Sequence, residues 1–364
     1  MSIIKVKPVI LLVLLVTALM LTGCSASVIT TYTTAFKTSD IVGAGATFPY
    51  PLYAKWFNAY YEATGVKVNY QAVGSGAGIN QITNGTVDFG ASDAIMTNIQ
   101  QSQAEAAYGP LLHIPTTLGA VTVIYNLPGI KSLQLKLNGE VLANICLKKI
   151  NKWNDPSIIA LNPGLTLPDQ PIAVVHRADS SGTTYIFTNY LTKVSSDWQT
   201  RIGFGTSVSW PGDIGADQSA GVTGQVLKQP YSIGYVELAY AIENKVSYAV
   251  VQNEAGNFIT PSIESTNKAA EGIILPDDMR VMITNSPNPE AYPIAGFTWV
   301  LVNVNQRDKA KGEAVVKVLW WAVHDGQQYN EPLLYGKLSP EVVKKVENEL
   351  LSINYKGQPL FTPP

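Results

Sequence analysis

The sequence predicts an α/β protein organised in two lobes, and three observations carry that expectation. From Asp40 onward, short β-branched runs alternate with amphipathic helical patterns, the order that builds helix-covered sheets. At 364 residues the chain exceeds what one hydrophobic core usually organises. Two long apolar stretches, LLHIPTTLGAVTVIYNL (111–127) and AGFTWVLVNV (295–304), are placed to carry the chain into a second lobe and back.

In chain order, DIVGAGATF reads as a strand running into a Gly-rich turn. Leu52, Tyr53, Trp56, Phe57 and Tyr60 recur at helical spacing and predict a helix over 50–63. VKVNYQAV (66–73) alternates as a strand does and runs into GSGAG (74–78). A helix carrying Ile79 and Ile82 should follow and close near Gly85. VDFGAS (87–92) is a short buried strand ending at Asp93. The second lobe holds the helix LNGEVLANICLKKI, the strand PIAVVHR and the motif DSSGTT, with VSYAVVQNEAG and the segments around 261–294 as outer strands and loops. KGEAVVKVLWWAVHDGQQYN is an amphipathic helix, and SPEVVKKVENELLSI opens on a Ser-Pro start signal and closes the chain. Lobe I is therefore expected over 40–119 and 296–364, and lobe II over 120–295.

The N-terminus has a separate logic. Lys5 and Lys7 precede an apolar run of 13 residues (9–21), followed by small residues and Cys24. A charged segment and a short apolar core suit an export signal, and the run is too short for a comfortable transmembrane helix. The ending Leu-Thr-Gly-Cys resembles a lipobox, so residues 1–24 read as a signal peptide and Cys24 as the lipidated, membrane-tethered start of the exported chain. Residues 25–39, rich in Ser and Thr, read as a linker. Localisation outside the cytoplasm follows.

With 46% apolar and 14% charged residues the chain folds, and its net charge of −2 with no basic run gives no nucleic-acid signal. Apart from Cys24 there is one cysteine, Cys146, expected to be a small buried residue. Three scattered histidines, His113, His176 and His324, offer no metal-ligand spacing. No metal and no cofactor are expected.

The chemistry sits in three polar turns. GAGATF, GSGAG and DSSGTT each precede a predicted helix, where unpaired N–H groups and a partial positive charge favour an anion. Taken singly, each is an ordinary set of capping residues. Converging, they would present hydroxyls from Thr47, Ser75, Ser181 and Thr183 beside Arg177. Neither Gly-rich turn has the spacing of a nucleotide fingerprint. A serine nucleophile in HRADSSGTT would need a base in reach and a strained elbow. Strand alternation points His176 away from the face that Arg177 takes, so no catalytic residue is expected.

The stretches GAGATFPYPLYAKWF, VNYQAVGSGAGINQI, TVDFGASDA, KINKWNDP, LNPGL, IAVVHRADSSGTT and IGYVELAYA, with the C-terminal tryptophan helix, resemble the phosphate-binding proteins of high-affinity phosphate ABC importers. The resemblance extends in order over nearly all of 41–360. It implies the two-lobe periplasmic binding protein fold (type II), with a mixed sheet and flanking helices in each lobe and crossover strands between them. It also implies an inorganic phosphate ligand, an ABC permease as partner, and a monomer. The ligand contacts it implies are Thr47, the Phe48 N–H, Ser75, Asp93, Arg177, Asp179, Ser181, Gly182 and Thr183. Two positions depart from the pattern: Gly76 stands where some relatives carry Ser, and His176 replaces a frequent basic residue.

Asp93 is the informative member of that set. A carboxylate facing an oxyanion repels it unless the ligand has a proton to give; hydrogen phosphate has one and sulfate has none. Asp179, two residues beyond Arg177, either orients that guanidinium or caps the following helix. A phosphate-ester hydrolase and a phosphate-sensing surface lipoprotein are the competing readings of the same pocket. The first would want a metal cluster or an activated nucleophile.

Overall fold

A mixed sheet of nine strands runs through the molecule. The computed structural model describes residues 40–212 and 214–363; the export signal, Cys24 and the linker lie outside the described residues. In chain order the strands on the main path are Ile41–Gly45 (β1), Val68–Ala72 (β2), Phe89–Ser92 (β3), Leu111–Asn126 (β4), Ala173–Arg177 (β5), Ile214–Ala216 (β6), Ser232–Glu237 (β7) and Ala295–Asn303 (β8). Across the sheet they run β2-β1-β3-β8-β4-β7-β5-β6, and Ser247–Tyr248 pairs with β4 off this path.

The long strand β4 organises the rest. Its first part is antiparallel to β8, with Leu111 opposite Asn303 and Ala120 opposite Ala295. Its second part is antiparallel to β7, with Val121 opposite Glu237 and Asn126 opposite Ser232. The partner changes between Ala120 and Val121. Beyond β8 and β7 the pairs are parallel: β1 with β2 and β3, and β5 with β6 and β7. Parallel strands need helices over their faces. Each half therefore has its own helix-covered parallel sheet; β4 alone runs through both, while β8 begins at Ala295, opposite Ala120, and lies wholly in the first half. The mixed α/β, two-lobe architecture read from the sequence is the one observed.

The helices needed below are Tyr50–Thr64 (α1), Ser75–Thr83 (α2), Asn98–Tyr108 (α3), Gly182–Val194 (α4), Gln218–Lys228 (α5), Leu238–Glu243 (α6), Lys309–Val323 (α7) and Pro340–Ser352 (α8). In α1 the apolar stripe buries Leu52, Tyr53, Trp56 and Tyr60, and the Trp56 indole donates to Gly326 O at 2.7 Å. Ser339 caps α8 by accepting from Val342 N at 3.3 Å, with Pro340 at the first helical position.

Three elements differ from their sequence expectation. GSGAG is the first turn of α2 itself, because a methyl on Gly78 would lie 2.6 Å from Gly45 Cα and Ala91 O; that glycine permits close packing of helix on sheet. The helix expected from LNGEVLANICLKKI is confined to Gly139–Cys146, capped by Asn138 and followed by Lys148 at a φ of 59°. Cys146 is buried in the core. The tryptophan helix α7 stops at Val323, since His324 leaves helical geometry and Asp325–Tyr329 forms a tighter 3₁₀ turn. Among the described residues no helix is long and apolar enough to cross a membrane.

Candidate functional site

The carboxyl ends of β1, β2, β3 and β5 carry the polar turns to one place, as open α/β sheets do with their ligand sites. Thr47 and Phe48 occupy the turn between β1 and α1. Ser75 is the first residue of α2, Asp93 follows β3, and Arg177 ends β5. Ser181 caps α4, its Oγ accepting from Thr184 N at 3.1 Å, so Gly182 and Thr183 form the first turn. Apart from half-buried Asp179, all of these residues are buried.

The two halves of the cleft touch. A methyl on Gly182 would lie 2.4 Å from Ser75 Oγ and 2.6 Å from Asp93 Oδ2. Gly76 N donates to Ser180 O at 3.0 Å, and a methyl on Gly76 would lie 2.0 Å from Ser180 Oγ. A serine at 76 would need the Ser180 side chain to move. Among the described residues the N–H groups of Phe48, Gly182 and Thr183 have no protein acceptor, and buried N–H groups demand one.

Arg177 is held on one edge and open on the other. Nε donates to Asp179 Oδ1 at 2.6 Å and Nη2 to Asp179 Oδ2 at 2.5 Å, a bidentate pair. Nη1 is left with loose contacts, 3.5 Å to Thr183 Oγ1 and 3.4 Å to Ser219 Oγ. Asp179 also accepts from Gln218 N at 3.0 Å. It is therefore placed to orient Arg177, and the cap of α4 is Ser181. Burial pushes the Asp179 carboxyl up, but the hydrogen bonds and charge of Arg177 outweigh it and hold the group below the usual carboxylate range.

Asp93 behaves oppositely. Burial pushes its carboxyl up to about 7, against the opposing pull of the Thr298 hydrogen bond, the Arg177 charge and the Ser75 hydrogen bond. Thr298 Oγ1 donates to Oδ1 at 2.7 Å, and Ser75 Oγ accepts from Asp93 N at 3.1 Å. The site thus carries one acceptor near its protonation midpoint at neutral pH, surrounded by donors.

Ser219 is a site group that sequence reasoning missed. Fully buried in the first turn of α5, its Oγ lies 2.9 Å from Thr47 Oγ1, linking the first turn to the Arg177 edge. Its only signal was a short strand followed by Asp-Gln-Ser, with no glycine turn to draw attention. His176 points away as expected: its ring stacks on Trp210 at 5.0 Å between centroids, and Nδ1 lies 3.0 Å from Arg177 O. Among the described residues there is no cluster of three or more His, Cys, Asp or Glu able to hold a metal ion. A cavity of about 640 Å³ elsewhere, lined by Leu118, Lys268, Ile274 and Leu338, carries none of this chemistry.

Two lobes closed over a small donor-lined cleft define a binding protein of the two-lobe, type II periplasmic class. A model described as a PBP superfamily domain matches residues 30–318. The chain is 44% identical over 313 residues to the phosphate-binding protein PstS of Xylella fastidiosa (strain 9a5c), covering 85% of each. It is likewise 44% identical over 319 residues to PstS of Pasteurella multocida, covering 87% of this chain and 91% of the relative. Among solved structures, the high-affinity periplasmic phosphate-binding protein PfluDING, bound with phosphate, aligns with a TM-score of 0.68 at 20% identity, over 85% of this chain and 93% of that one. The chain belongs to the PstS family of phosphate-binding proteins.

Proposed function

We propose that this protein binds inorganic phosphate in the cleft outside the cytoplasm and delivers it to the membrane permease of an ABC importer. It is a binding protein, not an enzyme, as its relatives' names indicate. The observation that carries the ligand choice is the pairing of Asp93, a buried acceptor pushed up to about 7, with a cleft otherwise lined by donors. A tetrahedral oxyanion with one proton satisfies both sets of groups. The Thr47 hydroxyl, the Phe48 N–H and Ser75 hold it from one side, and Arg177 Nη1, Ser181, Gly182 and Thr183 from the other. Asp179 acts through Arg177.

The lobes in this reading are 40–119 with 296–364, and 120–295. The change of β4 partner between Ala120 and Val121 supports that division. Closure brings Gly182 onto Ser75 and Asp93, and the closed form is the one the permease would recognise. Lipidation at Cys24 would tether a monomer to the membrane surface, a reading supported by the Leu-Thr-Gly-Cys sequence.

Equilibrium dialysis against labelled phosphate tests the function. One phosphate retained per chain, displaced by excess unlabelled phosphate or arsenate, is the expected result; no retention at millimolar phosphate would overturn it.

A further inference from the structure

Behind the first turn lie three buried polar groups that the phosphate reading leaves unused: Glu237 at the end of β7, Tyr240 in α6, and Tyr335. Tyr240 Oη donates to Thr47 O at 2.7 Å. Tyr335 Oη donates to Phe48 O, also at 2.7 Å. Tyr50 N reaches Thr47 O only at 3.3 Å. Two successive carbonyls of the turn are therefore pinned by phenols.

This matters because Thr47 O and the Phe48 N–H are the two ends of one peptide plane. No described peptide is cis, and in a trans peptide the C=O and N–H point in opposite directions. Fixing the Thr47 carbonyl on Tyr240 fixes where the Phe48 N–H aims. That N–H is one of the donors with no protein acceptor among the described residues. Holding the Phe48 carbonyl on Tyr335 restrains the plane that follows.

Proton counting extends the arrangement to Glu237. Tyr335 Oη also lies 3.1 Å from Glu237 Oε2. A phenol has one proton, and here it goes to the Phe48 carbonyl, which only accepts. The second contact is a hydrogen bond only when Glu237 supplies the proton. Burial, the largest influence, and the nearby charge of Glu243 both push the Glu237 carboxyl well above its ordinary range. Its Oε2 also accepts from Ala239 N at 2.7 Å, while Oε1 is buried without a hydrogen-bond partner among the described residues.

Glu237 and Tyr240 come from the β7–α6 corner, whereas Thr47 and Phe48 come from the β1–α1 turn. The Tyr240 bond thus spans the cleft. We propose that Tyr240, Tyr335 and Glu237 are positioning residues that aim the Phe48 N–H at the anion, with Tyr240 engaging its carbonyl as the lobes close. This rests on the phosphate reading above and deepens it. Once the lobes part, Thr47 O keeps only the longer contact from Tyr50 N and Phe48 O its bond from Tyr335, so the aim of this ligand bond is completed by closure itself.

The test is phosphate and sulfate titration calorimetry on the full protein and on Y240F, Y335F and E237Q, with melting temperature recorded without ligand. Misaiming one hydrogen bond to a charged group should weaken phosphate binding about 10- to 100-fold in Y240F, and by about tenfold or less in Y335F. Ligand-free melting of Y240F should stay near that of the parent, and that of Y335F should fall because buried Phe48 O and Glu237 lose their partner. The phosphate-to-sulfate ratio should not move in either, since Asp93 is untouched. E237Q can place an amide N–H toward Tyr335 Oη or an amide oxygen toward Ala239 N, but not both at that one position, so it should weaken phosphate binding by less than Y240F does. Parent-like phosphate affinity in both tyrosine variants overturns the proposal. So does a loss of ligand-free stability that leaves affinity intact, because that is a purely structural role. Failure of the parent itself to bind phosphate would overturn the functional reading, and this inference with it.

Discussion

The two sides of the cleft solve opposite electrostatic problems. On the Asp93 side a carboxyl is buried against Ser75 and Thr298 with no basic partner in direct contact among the described residues, and burial pushes it up to about 7. On the Arg177 side a guanidinium is buried, but Asp179 neutralises it through two short bonds and is itself held ionised. One side can hold a proton and the other holds a charge already paired. The cleft therefore has little net positive charge to attract anions in general. Selectivity has to come from matching donors and acceptors one by one, and a mismatch in such a site leaves a buried group unpaired.

The largest effect should come from forcing the two sides apart. In G182A the added methyl meets Ser75 Oγ and Asp93 in the closed cleft. Overpacking of this kind costs roughly 1–3 kcal/mol, so phosphate affinity should fall by about 10- to 100-fold. Melting without ligand should change much less, because an open cleft accommodates the methyl. Parent-like affinity would mean that the two sides do not close on phosphate.

Next in size is D93N. The amide can donate where the carboxylate could only accept, so sulfate should gain affinity and the phosphate-to-sulfate ratio should drop by about tenfold or more. The same exchange should appear with pH in the unmodified protein. Below pH 6 Asp93 carries its own proton and can donate to sulfate, so discrimination should relax, whereas at pH 8 it should be strongest. A ratio constant from pH 5 to 8 would remove Asp93 from the selectivity argument.

Asp93 also bears on stability. Its folded pKa is raised, so the folded chain keeps this proton above the pH where the unfolded chain has lost it. The stability that proton contributes is full below about pH 4 and declines as pH rises toward about 7. Thermal melting without ligand should accordingly favour D93N over the parent increasingly from pH 4 to 8. The smallest effect expected is that of D179N, which frees the Arg177 charge while loosening its orientation. These consequences oppose each other, and phosphate affinity should change by less than about tenfold. A much larger loss would mean that orientation dominates.

Much of this was legible in the sequence because it is local. Helical spacing of Leu52, Tyr53, Trp56 and Tyr60 located α1, and hydroxyl residues in front of helices located both sides of the cleft. Asp93 entered the set through the family resemblance, and physics then explained it: a carboxylate facing an oxyanion is tolerated when the ligand has a proton to give. What stayed hidden depends on distant segments meeting. Ser219 matters through Thr47 and Arg177, 172 and 42 residues away. Tyr335 matters through Phe48, 287 residues away. The early start of α2 was missed because glycine reads as a turn, whereas Gly76 and Gly78 are needed there for close contact with Ser180 and Ala91. No pattern along the chain distinguishes a glycine that bends from one that makes room.

The most direct test is calorimetric titration of the unmodified protein at pH 8 with phosphate and then with sulfate. Tight one-to-one phosphate binding, with sulfate weaker by about 100-fold or more, is the predicted result. Sulfate binding at phosphate-like affinity would contradict the claim that a buried acceptor at Asp93 selects a protonated anion.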